Sequence, residues 1–582
     1  MTQLAAPFVL LDDARPGGSA RLYQTPVEVV QAWEVADVGP ALDRIRAAAA
    51  RGLHAAGFLS YEAGRAFEPK LPPHGPMLTP LLWFGLFERW EAIDAARWLP
   101  DPAGAWIGAP EPTGTQADYE AQVRSALELI RAGDIYQVNL SFPATVGLAG
   151  DPLCAYAQLR ARAGAGYGAV VSTGDDTLIS LSPELFFRLD GDRLTCRPMK
   201  GTAPRDEDAA GDRHRAAALA ADEKNRAENL MIVDLMRNDL ARVAVPGSVA
   251  VPALFAIETY PTVHQLTSTV TATLATGRDA VDVLAAAFPC GSITGAPKVR
   301  AQGAIAAIER APRGPYTGSI GRIDAGGDAE FNVAIRTLTL AGGDTAAALS
   351  LGAGIVADSD PAAEWAECLG KGAFVGDGLA LFDLIETMRF DPVEGILLLE
   401  RHLARMKESA DALGFAFNRH AARNELQAAT FRLRDARRIR LLLAPSGSIA
   451  VEVSALPAPM HQLSVAIVPL PVAPTDLRLR HKTTARGFYD DARRRAGTDE
   501  VVFEHEGRLT EGSFTTLFVE RGGILVTPAG PLLPGVLRAE LIAEGRAVEG
   551  VVTRDDLAHG FQLGNALRGL MPAVVADAKR HG

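Results

Sequence analysis

The sequence predicts an α+β protein of several domains, and three observations carry that prediction. The chain has 582 residues, room for about three or four domain-sized units. Short apolar runs such as FVLL, GFLSYEAG and LLWFGLF, broken by Pro and Gly, read as strands. Between such runs lie stretches of helical period, over 119–132 with Val123, Leu127 and Ile130 on one face, and over 397–415.

Composition narrows the function. A net charge of −12 argues against nucleic acid or an acidic membrane as partner, while a local cationic pocket for a small anion stays compatible with it. Cys154, Cys196, Cys290 and Cys368 form no CxxC pair, which suggests a reducing compartment without disulfides or a zinc knot. MTQLAAPFVLLDDARPGG lacks a basic segment followed by a long apolar run, and no later segment reads as membrane-spanning, so a cytoplasmic protein is expected. Only eight of the 58 basic residues are lysines, so a lysine here more often marks a place where a titratable amine is wanted.

Taken in order, residues 1–110 read as strands of a mixed sheet with one Ala-rich helix near 41–52. They form the first part of a larger unit that continues over 111–374, before a separate domain over 375–582. LISLSPELFFRL, over 178–189, reads as one strand region in which Glu184 follows a Ser-Pro turn. RPMKGTAPR places Lys200 in a tight Lys-Gly-Thr turn, followed by a charged, Ala-rich connector and a helix bearing Glu228. On that helix Asp234, Arg237, Asn238 and Asp239 read as a buried structural network. Asp239 lies about 16 Å along the axis from Glu228, too far to share one ion. Asp360 is a natural N-cap and Pro361 suits the first helical position, so a helix should run to Gly370 or Gly372. Glu364, Glu367 and Lys371 fall on one face of it, beside an apolar stripe of Trp365, Leu369 and Phe374; a solvated ion pair and a functional face both fit. The hairpin-like pair RRIRLLLAPSGSIAVEVSAL belongs to the last domain.

GDIYQVNLS, SPELFFRL, RPMKGTAPR, AENLMIVDLMRNDLARV, YPTVH, FPCGSITGAPKVRA, YTGSIG, NVAIRTL and GAGIVADSDPAAEWAEC, with Lys371 after them, resemble the chorismate-utilising enzymes. That family includes the large subunit of anthranilate synthase and component I of aminodeoxychorismate synthase. The resemblance implies large antiparallel sheets with the site between them. It implies Mg2+ held by Glu228, Glu364 and Glu367, hard oxygen ligands suited to that ion. It makes Arg336, Tyr316, Lys371, Gly201, Thr202, Gly352, Ala353 and Gly354 the contacts of chorismate. Lysine at position 200 is the choice of aminodeoxychorismate synthases, where anthranilate-forming enzymes carry alanine. Lys200 would attack C2 of chorismate in its neutral form, with Glu184 as general acid/base and His264 as a nearby polar or acid/base group. Cys290 stands where the family has glycine. No Gly-x-Cys-x-Gly elbow is present, so ammonia is expected free or from a separate glutamine amidotransferase subunit.

LFDLIETMRF, ERHLARMKESADALG, RHKTTARGFYDDA, EGRLTEGSFTTLFV, PLLPGVLRAELI and NALRGLMPA resemble class IV pyridoxal-phosphate enzymes, 4-amino-4-deoxychorismate lyase and branched-chain and D-amino-acid aminotransferases among them. This implies a two-subdomain α+β domain binding pyridoxal 5'-phosphate. Of three lysines there, Lys579 is in the tail and Lys407 mid-helix, which leaves Lys482 for the cofactor. Glu511 would pair with the pyridine nitrogen. Arg405, the helix start at Val536 and Leu537, and the hydroxyls of Thr515 and Thr516 would hold the phosphate. Such domains also admit a homodimer. The rivals are an anthranilate- or salicylate-type enzyme, which Lys200 speaks against, and a synthase fused to a true aminotransferase or to a cofactor-free docking domain.

Overall fold

The computed structural model describes residues 6–72, 75–206, 208–260, 263–376 and 382–576. Two ten-stranded sheets, antiparallel at every pairing, make up the first part of the chain. The expected mixed sheet is thus two, because neighbours in sequence here pair as hairpins or across distant antiparallel partners. In the first sheet Phe8–Asp12 pairs with Tyr167–Ser172, and Ala346–Ile355 with Gln137–Gly150. In the second, His54–Leu59 pairs with Ser319–Ile323, and Met199–Pro204 with Val263–Thr273 at one edge. Both sheets therefore mix strands from 1–110 with strands from beyond.

Alternation along these strands builds the core. Val9, Tyr23, Val171 and Leu178 of the first sheet face Phe58, Trp83, Phe87 and Ile320 of the second. Their neighbours Leu10, Leu22, Val170 and Ile179 point outward into a larger cluster shared with the helices. Each fully buried aromatic there contributes about 2–3 kcal/mol of transfer free energy.

Helices Val35–Ala50 and Gln116–Arg131 start or end a few residues from their expected limits, while Pro361–Gly372 runs between the expected ones with Asp360 as its N-cap. The Ala-rich connector is itself a helix, Ala209–Ala221, and Asp222 ends it while capping the next, Glu223–Ala241. On Pro361–Gly372 the apolar stripe is corrected: Leu369 is exposed and the buried positions are Glu364 and Cys368. On Glu223–Ala241 only Asp239 of the expected buried network is buried, paired to Lys298 at 2.9 Å, while Asp234 and Arg237 pair on the surface.

The last part has two layers of its own. A four-stranded antiparallel sheet holds Leu384–Asp391 and the hairpin Arg437–Leu443 with Ile449–Ala455, covered by helices Leu399–Ala412 and Arg419–Thr430. An eight-stranded sheet follows in which Arg508–Gly512 pairs with both Glu500–His505 and Thr516–Arg521, so six strands close into a ring. Leu463, Val465, Leu509, Leu517, Leu563 and Met571 belong to its core. Among the described residues no helix is long and apolar enough to cross a membrane.

Candidate active sites

LISLSPELFFRL is not one strand. Asp176–Ser182 lies in the first sheet and Leu185–Asp190 in the second, so the Ser-Pro-Glu corner crosses the gap and leaves Glu184 between the sheets. The Ser182 hydroxyl accepts the Glu184 amide and donates to the Val333 carbonyl, fixing the corner. Glu184 is 4% exposed, and burial raises its carboxyl to about 7, opposed by the Ser292 hydroxyl, the Met199 amide and the charge of Lys200. Its Oε1 is buried without a hydrogen-bond partner. A carboxyl in that state is a proton donor aimed into the gap.

The expected Lys-Gly-Thr turn is a β-bulge. Between Met199↔Thr267 and Thr202↔Gln265 one strand advances three residues and its partner two, with Gly201 at φ +103°. The extra residue re-aims the Lys200 side chain across to the first sheet. A Cβ built on Gly354 would stand 2.6 Å from Lys200 Nζ and 2.8 Å from Gln137 Nε2, so only glycine admits the amine there. A Cβ on Gly352 would likewise stand 2.9 Å from the Tyr316 hydroxyl, and Lys371 Nζ donates to the Gly352 carbonyl at 2.9 Å. The strand segment Gly352, Ala353, Gly354 is therefore the floor on which Lys200, Tyr316 and Lys371 meet.

Lys200 also reaches Glu228 Oε2 at 3.0 Å, and its charge lowers the carboxyls of Glu364 and Glu367 as well as that of Glu184. Glu364 is buried and accepts from Ser359 at 2.6 Å; burial raises its carboxyl. Glu367 pairs with Lys371 at 2.8 Å, so the face read two ways does carry the ion pair, and the same Lys371 reaches the Gly352 carbonyl. The three carboxylates fit Mg2+ by donor chemistry, with an ammonium standing on two of them. They do not form a ready ligand set: among the described residues no three acidic, His or Cys side chains make a metal-holding group.

Arg336 is half-buried in a left-handed backbone conformation, φ +51°, and has no carboxylate partner among the described residues. Burial lowers its pKa, with only Tyr260 opposing, as in a cation short of its anion. Thr202 is exposed beside the bulge. His264 is not brought to Lys200: its Nε2 meets Asp212 at 2.8 Å and its Nδ1 meets Thr259 at 3.0 Å, so neither ring nitrogen is spare. Sequence reasoning passed over Gln137, whose Nε2 shares the space over Gly354 with the Lys200 amine and whose Oε1 is buried and unpartnered. Its place in GDIYQVNLS opening a strand was the available signal.

In the second site four consecutive residues gather the candidates. The Leu533 amide donates to Glu511 at 2.9 Å, the Pro534 carbonyl accepts from Arg405 at 2.9 Å, and a Cβ on Gly535 would meet Thr516 Oγ1 at 2.7 Å. Val536 then opens helix Val536–Ala543, whose first amides, Leu537 included, lack intrahelical acceptors. Glu511 is 4% exposed, takes the Tyr489 hydroxyl at 2.5 Å, and burial raises its carboxyl to about 7. Burial, then Arg405, lowers the Lys482 amine to about 7. Glu386, unmentioned in the sequence reading, joins Arg405 at 2.6 Å and the His402 ring at 2.6 Å; against the push of burial the Arg405 guanidinium, with the His402 hydrogen bond, holds it well below the carboxylate range. Burial lowers His402 itself. His402 Nε2 is buried without a partner. Thr515 is a correction: it lies just before the strand Thr516–Arg521, and its hydroxyl is taken up by the buried Glu500, to which it donates at 3.0 Å. Lys407 pairs with Asp411 on the surface, as its mid-helix place implied. A neutralisable amine, a buried acid and a phosphate-sized helix start fit pyridoxal phosphate.

Comparison with known proteins agrees with this geometry. Residues 7–376 match the family model for chorismate binding enzymes, and residues 383–575 that for class IV aminotransferases. Aminodeoxychorismate synthase component 1 of Salmonella typhimurium is 46% identical over 257 residues, which are 44% of this chain and 56% of that protein. Anthranilate synthase component 1 of Streptomyces coelicolor is 44% identical over 292 residues, 48% of this chain and 57% of that protein. The chain thus spans a little over half the length of the curated relatives it matches. The crystal structure of anthranilate synthase component I from Streptococcus pneumoniae superposes with a TM-score of 0.54 at 26% identity, covering 64% of this chain and 93% of that one. The chain belongs to the chorismate binding enzymes, and a class IV aminotransferase-like domain follows that unit.

Proposed function

We propose that the chain makes 4-aminobenzoate in two steps: amination of chorismate to 4-amino-4-deoxychorismate, then elimination of pyruvate from that product. The observation that carries the reading is the Lys200 amine lying over Gly354 and reaching Glu228, with Glu184, whose carboxyl burial raises to about 7, within reach of its charge. Lys200 Nζ attacks C2 of chorismate, the ring double bonds shift, and the C4 hydroxyl leaves as water with the proton of Glu184. Ammonia then bonds to C4, the double bonds shift back and the C2–Nζ bond breaks. Attack requires the amine to leave Glu228, which must then be engaged elsewhere. Glu228, Glu364 and Glu367 would hold Mg2+, which supplies positive charge for a carboxylate of chorismate. Arg336 is the candidate for the other carboxylate.

In the second site pyridoxal phosphate supplies an electron sink for the substrate carbon. Lys482 Nζ, lowered to about 7, would take the C4 proton of aminodeoxychorismate, and Glu511 would hold the pyridine nitrogen. The C3–O bond then breaks, the ring becomes aromatic, and the released enolpyruvate takes up a proton to give pyruvate. Ammonia comes from a separate glutamine amidotransferase. Product analysis with chorismate, Mg2+ and ammonium tests the scheme. We expect 4-amino-4-deoxychorismate without pyridoxal phosphate and 4-aminobenzoate plus pyruvate with it. Formation of the 2-amino isomer, or full turnover by Lys200→Ala, would overturn the first step; amino-group exchange with a 2-oxo acid would overturn the second.

A further inference from the structure

Arg478 lies on the short turn Leu477–Leu479, four residues before Lys482, and is 3% exposed. It forks onto Asp476, with Nε on Oδ1 at 2.9 Å and Nη2 on Oδ2 at 2.7 Å, while Nη1 reaches Asp101 Oδ2 at 2.6 Å. Asp101 belongs to the chorismate-binding unit, outside the class IV match of 383–575. The same guanidinium stacks over Phe488 at 4.8 Å; Phe488 packs on Tyr489 at 3.9 Å, and Tyr489 donates to Glu511. Around this bridge Thr475 donates to Asp151 at 2.8 Å, and a Cβ on Gly104 would stand 2.8 Å from Asp476 Oδ2.

We infer that Arg478 is a positioning residue through which the chorismate-binding unit, by way of Asp101, sets the geometry of the cofactor pocket, bracing Lys482 along the chain and Glu511 through Phe488 and Tyr489. The inference rests on the reading that the last domain binds pyridoxal phosphate. A bidentate, stacked guanidinium with three separate anchors has one allowed place, so the backbone that carries it is fixed with it. The anchor that crosses between the units joins a buried guanidinium to the solvent-facing Asp101, so it is a charge-assisted bond screened from one side only.

Two substitutions in the first unit test this in the full-length chain. Asp101→Asn keeps the cap that Asp101 Oδ1 gives the Ala103 amide but removes the charge facing Arg478, and Gly104→Ala crowds Asp476 Oδ2 together with Cys154 Sγ of the first unit. Pyridoxal phosphate is titrated by its lysine-bound visible band, and the circular dichroism of that band is recorded. We expect each variant to bind the cofactor about three- to tenfold more weakly with reduced band dichroism, while chorismate turnover is unchanged and Asp101→Glu restores both. Wild-type affinity and dichroism in both variants would overturn the inference alone. Chorismate turnover falling in step with cofactor binding would mark a general loss of structure and overturn it too. A wild-type chain that takes up no pyridoxal phosphate would instead sink the reading of the last domain, and this inference with it.

Discussion

Glu184 and Lys482 show how burial, the largest cause at both, prepares a group for chemistry. Burial raises Glu184 from 4.5 to about 7, so the folded protein binds more protons than the unfolded chain across that window. The stability it contributes is complete below 4.5 and is lost as pH rises through about 7; Glu184→Gln should flatten the unfolding midpoint over that range, by about 3 kcal/mol at most. In the same variant the fall in chorismate amination above about pH 7 should vanish with the acid itself, and an unaltered pH–rate profile would refute the assignment. Lys482 runs the other way: lowered from 10.5 to about 7, it contributes stability above 10.5 that is lost as pH falls through 7. Lys482→Met should therefore stabilise the cofactor-free protein at pH 7 by about 2–4 kcal/mol, read as a higher denaturation midpoint.

Elements decide where those groups stand, and here the sequence is legible only in part. The helix at Pro361–Gly372 was readable because Asp360 and Pro361 carry local signals that need no tertiary help. The bulge at Lys200 was not, because one extra residue in a ladder depends on the partner strand, which lies more than sixty residues on. The same holds for the sheet change at Glu184 and for Gln137, whose importance appears only once Gly354 is seen opposite. Thr515 and His264 looked available as side chains and prove engaged by Glu500 and Asp212, partners far away in sequence. Gly354→Ala places a methyl 2.6 Å from the flexible end of Lys200 and touches no buried backbone, so the fold should survive. Chorismate amination should fall by about a hundredfold through misplacement of the amine, measured as kcat with an unchanged thermal midpoint.

At the scale of the whole molecule the two units are joined by more than a linker. Trp106, on a strand of the first sheet, packs into the hydrophobic cluster of the four-stranded sheet, where a Cβ on Gly414 would stand 3.1 Å from its ring. Trp106→Ala should lower the unfolding midpoint of the last domain by about 3 kcal/mol, as for other large aromatics truncated in a core; a variant whose last domain unfolds like the wild type would disprove the join. Strand order has a consequence for the newborn chain. Each of three strands finds one partner close by in sequence, but Phe8–Asp12 waits for its second until residue 172 has been made, His54–Leu59 until 323, and Gln137–Gly150 until 355. On a ribosome adding about 5–20 residues per second, sticky unpaired edges stay open for tens of seconds. Overproduction outpacing chaperone supply should yield inclusion bodies, and slower synthesis in the cold should return the material to the supernatant.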